Sequence, residues 1–207
     1  QGNIYVADWG NNRVQKFNHK GQYICSIGTD GDKHQRLSHP AHVAVDKDGY
    51  IYISDWGNNR VHVFTSDGNL KNTFGSTGSG DSEFQRPTGI SVDSHGDIYV
   101  ADWGNNRVLQ FNKDGDQVWS FRGDATLSKV ARNYMLTNAV PNRLRESGRL
   151  EDERYIRRPR SVRVDEKFRL FIPDYESYRV QVYQKDFIEL DETQFAAPLR
   201  NPTLEVT

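Results

Sequence analysis

Asp55-Trp56-Gly57-Asn58-Asn59-Arg60-Val61 is one of three identical heptapeptides in this chain; the others run 8–14 and 102–108. Their starts (8, 55, 102) are 47 residues apart. A worn copy, Asp174-Tyr175-Glu176-Ser177-Tyr178-Arg179-Val180, begins 72 residues after the third (174 against 102). A fixed long period means one supersecondary unit stacked on copies of itself.

The surroundings of the second copy show the whole unit. Pro40 opens His42-Val43-Ala44-Val45, and the turn Asp46-Lys47-Asp48-Gly49 leads to Ile51-Tyr52-Ile53-Ser54. The heptapeptide follows, then Val61-His62-Val63-Phe64, the turn Ser66-Asp67-Gly68, and Leu70 through Gly75. Each piece is a short β-rich run closed by turn residues, so each reads as a strand, named a to d in order. Tight turns imply antiparallel neighbours. A four-stranded antiparallel sheet recurring about every 45 residues is the pattern of a β-propeller blade. A β-sandwich predicts no such repeat.

The expected fold is therefore all-β, a single propeller over 1–207. Its repeats fall at about 1–39 (lacking strand a), 40–86, 87–123 and 159–190. In the fourth, Phe168 replaces the turn glycine, which predicts a different turn there. The connection before it is longer than the others. Leu127, Val130, Ala131, Tyr134 and Met135 form an apolar helical stripe, so 124–158 reads as a helical insertion. The tail, 191–207, contains Pro202-Thr203-Leu204-Glu205-Val206, which resembles a strand a able to close the ring beside the first strand b.

Composition narrows the function less. The 27 Lys and Arg nearly balance 28 Asp and Glu, and the net charge of −1 gives no global reason to expect nucleic acid or an anionic membrane as partner. Cys25 is the single cysteine, so there is neither a disulfide framework nor a thiolate zinc site. No apolar run approaches the roughly 18 residues of a membrane-spanning helix. The first residue is Gln1, inside a repeat, which predicts a processed product or a fragment.

Alternating strand direction puts the b–c corners, where the heptapeptides lie, on the same face as the d–a connections. The candidate binding residues are Trp9, Asn11, Arg13, Trp56, Asn58, Arg60, Trp103, Asn105 and Arg107, with Tyr175, Tyr178 and Arg179 from the worn copy. Arg154, Arg157 and Arg158 of the insertion join them as possible contacts to an acidic protein or to phosphate. Two roles compete. Asp and Arg facing each other across the corner can pair, Gly-Asn-Asn can supply left-handed turn conformations, and Trp can pack on the next blade or cover the Arg. That is a corner that builds a blade. The alternative is a ring of Trp, Asn and Arg that binds a ligand. Repetition in every blade favours construction, because a ligand seldom shares the ring's symmetry. On that reading the ion pairs are exposed and Trp matters more to stability than they do.

Catalytic signals are sparse. The six histidines (19, 34, 39, 42, 62, 95) share no repeat position. His39 and His42 flank the start of a strand a and can approach the channel. No cofactor is expected; calcium on turn carboxylates (Asp46, Asp48, Asp93, Asp165) or zinc in the channel is the lesser alternative. No nucleophile motif or phosphate-cradling glycine loop is present.

Together, Pro-x-x-Ile/Val-x-Val-Asp, Gly-x-Ile-Tyr-Val-x-Asp, Asn-x-Arg-Val and x-Phe-x-x-Asp-Gly resemble the NHL repeat, closely in the first three repeats and partly in the fourth. The resemblance implies a propeller, commonly six-bladed, of which this chain would hold four repeats. It implies an interaction module that binds protein, peptide or, in ubiquitin-ligase relatives, RNA. A related propeller is a peptide-amidating lyase with histidine-bound channel metals, and this chain shows no recurring histidine set to match it. The sequence thus points to a non-enzymatic scaffold binding a protein or peptide on the b–c face. A metal-dependent lyase or hydrolase and an RNA-binding module are the alternatives.

Overall fold

A computed structural model describes residues 2–32, 34–123 and 154–185. The expected helical insertion up to residue 153 and the proposed closing tail lie outside the described residues. The first sheet pairs β1 (Ile4–Asp8), β2 (Arg13–Phe17) and β3 (Tyr23–Ile27). The second runs β4 (Pro40–Val45), β5 (Ile51–Asp55), β6 (Arg60–Phe64) and β7 (Leu70–Phe74). A short parallel pair, β8 (Ser76–Thr77) and β9 (Glu83–Phe84), lies in the connection to the third sheet. That sheet runs β10 (Pro87–Val92), β11 (Ile98–Asp102), β12 (Arg107–Phe111) and β13 (Gln117–Phe121). The fourth holds β14 (Arg163–Val164), β15 (Arg169–Asp174) and β16 (Arg179–Gln184). Within each blade every neighbouring pair is antiparallel.

The core lies between blades, and the two-residue period of a strand explains how. All five residues of β11 are buried. Ile98 and Val100 pack toward the second blade with Val61, Val63 and Phe84. Tyr99 and Ala101, pointing the other way, pack toward the fourth with Val162, Leu170 and Ile172. In β5, Ile51 and Ile53 likewise face the first blade, beside Val14 and Ile27. Each such fully buried aliphatic side chain contributes about 1.5–3 kcal/mol. The same positions at the ends of the described arc are open: Ile4 and Val6 on β1, Val180 and Val182 on β16.

The a–b turns share one design. Asp46 Oδ1 accepts the Asp48 and Tyr50 N–H groups, and Gly49 (φ 87°) donates to the Asp46 carbonyl. Asp93 and Gly96 repeat this. The different turn expected at Phe168 is not what forms. Phe168 adopts φ 57° and donates to the Asp165 carbonyl at 3.0 Å, while Asp165 Oδ1 accepts from Lys167 and Arg169. The Asp-centred hydrogen bonds hold the turn, and stacking of Phe168 on His95 (4.6 Å, 8° between planes) offsets part of the cost of a left-handed aromatic residue.

The d–a connections and b–c corners meet on one face, as the alternation requires. Gly57 N donates to the Ser38 carbonyl and Gly104 N to that of Gln85, each at 2.8 Å. A Cβ on either glycine would stand 2.7 Å from that carbonyl oxygen, so this close approach demands glycine. Glu176 replaces it in the worn copy, and the matching bond, to the Arg157 carbonyl, stretches to 3.4 Å.

Candidate functional site

Each corner is built on the aspartate that ends strand b. Its Oδ1 accepts a backbone N–H from the incoming d–a connection: Ser38 to Asp55 (2.9 Å), Gln85 to Asp102 (2.8 Å), Arg157 to Asp174 (2.7 Å). Oδ2 takes the amide of the first motif asparagine, Asn58 at 2.7 Å and Asn105 at 2.8 Å. Arg13, Arg107 and Arg179 then close ion pairs of 2.8–2.9 Å through Nε to Asp8, Asp102 and Asp174.

Two features differ from the sequence expectation. The ion pairs are not uniformly exposed: Arg107 and Asp102 are 1 % and 0 % accessible, and Arg107 Nη2 also bonds the carbonyls of Gly80 and Glu83. Burial pushes the Asp102 carboxyl above its ordinary range, against the Gln85 N–H, Asn105 and Arg107, which pull it down. At the exposed first corner Arg13 and Asn11 hold Asp8 below that range. The second corner breaks the pattern. Arg60 Nε bonds the Asn58 carbonyl at 3.3 Å, and the fully buried His62 takes the arginine's place on Asp55 Oδ2 at 3.1 Å. His62 also meets Thr73 Oγ1 at 3.1 Å, so this histidine belongs to the core rather than to solvent.

The second asparagine has a role that the sequence reading missed. Asn12, Asn59 and Asn106 adopt φ of 55°, 53° and 55°. Their Oδ1 atoms accept the backbone N–H of His39 (2.8 Å), Arg86 (2.7 Å) and Arg158 (2.9 Å), each in the connection to the next blade. Asp builds its own blade; the asparagine after it grips the next. In the worn copy Tyr178 takes the same left-handed φ of 51°, lacks the amide, and stands 96 % exposed.

The tryptophans do not cover the arginines of their own motif. They interleave with the residues that the asparagines grip. Trp9 lies 4.9 Å from Trp56, and His39 sits at 5.2 and 6.1 Å from the two rings. The Arg86 guanidinium lies 5.0 Å from Trp56 and 5.9 Å from Trp103; that of Arg158 is 4.9 Å from Trp103. Arg160 is 3.9 Å from the Tyr175 ring. A ladder of rings and cations thus follows the face. Its inner side is a cavity of about 340 Å³, lined by Trp9, Ala41, His42, Trp56, Thr88, Trp103 and Arg160. Strands β4, β10 and β14 stand side by side beneath it as the inner strands of their sheets.

The expected site residues therefore divide. Trp9, Trp56 and Trp103 converge on the cavity. Asn11, Asn58, Asn105, Arg13, Arg107 and Arg179 are spent on the corner aspartates, and Arg60 on its own loop. Tyr175 backs Arg160, while Arg158 pairs with Glu176 at 3.1 Å. The Arg157 backbone binds Asp174, and Arg154 is exposed. Arg86 and Arg160 were missed, and His39, expected near the channel, was not recognised as a partner of the tryptophans. Their signal was adjacency to the prolines that open strand a: His39-Pro40, Arg86-Pro87, Pro159-Arg160. Among the described residues no three His, Cys, Asp or Glu side chains converge to hold a metal ion.

Residues 1–17 match the model of the NHL repeat, and residues 36–138 match a family described as a six-bladed β-propeller. The chain is a β-propeller that carries an NHL repeat. No curated protein matches this NHL propeller in sequence. Among solved structures it is similar to virginiamycin B lyase from Staphylococcus aureus, with TM-score 0.53 and 12 % identity over 90 % of this chain and 53 % of that one. A protein of unknown function from Bacteroides thetaiotaomicron gives 0.58 and 18 % over 88 % and 44 %. The WD40 propeller domain of Doa1 gives 0.56 and 11 % over 94 % and 49 %. At such identities the likeness is one of fold. The NHL propeller spans about half the length of these structures. No helix among its described residues is long and apolar enough to cross a membrane.

Proposed function

We propose that this propeller is an interaction scaffold that binds a protein or peptide at the tryptophan-lined mouth on the b–c face. The observation that carries the reading is the division of labour within the heptapeptide. Asp, both Asn and most of the Arg side chains are engaged in construction. The indoles are not fully buried by it: Trp9 remains 42 % exposed and Trp56 and Trp103 are half-buried around the cavity. Tryptophan and arginine are the residues most enriched where binding energy concentrates. Propeller folds also host enzymes, so the fold does not choose; three indoles and the Arg160 guanidinium supply contact surface, while the Thr88 hydroxyl in the lining is engaged by the Ala101 and Pro159 carbonyls.

Selection of a random peptide display library on the immobilised full chain tests this. Clones should enrich that lose binding to Trp103→Ala and Trp9→Ala while both variants keep the wild-type far-ultraviolet spectrum. No enrichment, or clones indifferent to both substitutions, would contradict it.

A further inference from the structure

The charge of the mouth differs from that of the chain. The chain is balanced at −1, yet the groups gathered here are cationic. Arg160 lines the cavity and Arg86 stands between two of its indoles. Arg163, on the inner strand β14, is near enough to His42 to act on it: the imidazole sits below its ordinary 6.5, mainly through desolvation, with repulsion from Arg163 added and the Ile90 backbone bond opposing. Arg86, Arg160 and Arg163 have no carboxylate partner among the described residues, whereas Arg158 has Glu176 at 3.1 Å. The corner aspartates offer them nothing, because Asp55, Asp102 and Asp174 are 0–1 % accessible and already bonded.

Shape adds a second constraint. At about 340 Å³ the cavity lies at the small end of ligand sites, which suits one large side chain better than a whole cofactor. Trp9 and Trp56 meet at 57°, so they wall a pocket. Successive nucleobases instead need parallel, spaced platforms.

We propose that the mouth takes an acidic peptide segment, its aromatic or large apolar side chain entering the indole-lined cavity and its carboxylates meeting Arg86 and Arg160. This rests on the peptide-binding reading above and adds the charge and the anchor. Guanidinium pairs with carboxylate in a charge-assisted, often bidentate geometry, and an arginine packed beside an aromatic ring can still use its N–H donors for such a pair. Positive potential at a concave mouth also speeds the encounter with an acidic segment.

Calorimetric titration of the full chain separates the outcomes. The probe is a blocked pentapeptide with phenylalanine flanked by glutamates, compared with the same peptide carrying glutamines and with oligouridine. The acidic peptide should bind at least about tenfold tighter than the glutamine peptide, and Arg160→Gln or Arg86→Gln should remove about tenfold of that affinity. Both arginines are exposed, so neither substitution threatens folding. Equal binding of acidic and neutral peptides would overturn the charge inference and leave the peptide-binding reading standing. Binding of neither peptide would overturn both. Preference for oligouridine would overturn the inference in favour of a nucleic-acid ligand.

Discussion

Asn59 Oδ1 lies 2.7 Å from the backbone nitrogen of Arg86, 27 positions further on and in the connection to the next blade. Asn12 with His39 and Asn106 with Arg158 repeat the contact. A single side chain in a left-handed conformation thus ties adjacent blades together and positions the cation that packs against the tryptophans.

Asn59→Gly keeps the left-handed backbone accessible and removes the Oδ1 acceptor together with the Nδ2 bond to Thr77 Oγ1, so it should cost about 1 kcal/mol; Asn59→Ala adds conformational strain and should cost about 2 kcal/mol. Urea denaturation of the two variants measures both. Equal, negligible losses would show that the contact does not hold the blades.

The buried and exposed corners should respond differently to loss of their arginines. Arg107→Met leaves Asp102 and the carbonyls of Gly80 and Glu83 without their partner in a dry site, and should cost about 3–5 kcal/mol. Arg13→Met, at a pair 34 % and 22 % exposed, should cost under about 1 kcal/mol. Thermal and urea unfolding check this, and similar losses at both corners would contradict it.

Alkaline pH should weaken the fold. Tyr52 donates to Asp46 and Tyr99 to Asp93, and burial together with these carboxylates raises both phenols above 10.0. Burial alone would lower Lys185, but hydrogen bonds to Asp93 (2.7 Å) and Asp97 (2.6 Å) outweigh it and raise it above 10.5. All three shifts are upward. The folded chain therefore keeps protons that the unfolded chain begins to release near pH 10, and stability is full below that point and falls above it. Melting temperatures from pH 8 to 11 should show the drop, and Tyr52→Phe with Tyr99→Phe should flatten it. A wild-type curve flat to pH 11 would contradict the sign.

The repeat made the blades and the shared face readable, because strand period and turn residues are local properties. What the corner residues do was not readable in the same way. The heptapeptide is identical in the first three copies, yet Arg13 pairs at the surface, Arg107 pairs in the core and Arg60 does not pair with Asp55 at all. The difference comes from residues outside the motif, such as His62 on the facing strand and the path of Gly80–Glu83. The Phe168 turn was misjudged for a related reason: glycine was read as the cause of the turn, whereas the Asp165 hydrogen bonds hold it without one. The cations beside the prolines were marked only by that adjacency, which does not say what they touch. Only the closeness of one blade's corner to the next blade's entry brings them to the tryptophans.

The indole N–H signals of the ¹⁵N-labelled chain test the central claim most directly. Trp9, Trp56 and Trp103 border the cavity, while Trp119, 61 % exposed on the outer strand β13, serves as an internal reference. Titration with the acidic phenylalanine peptide should move the first three signals along saturating curves, leave Trp119 in place, and do so far less in Arg160→Gln. Shifts confined to Trp119, or uniform across all four indoles, would contradict a binding site at the mouth of the propeller.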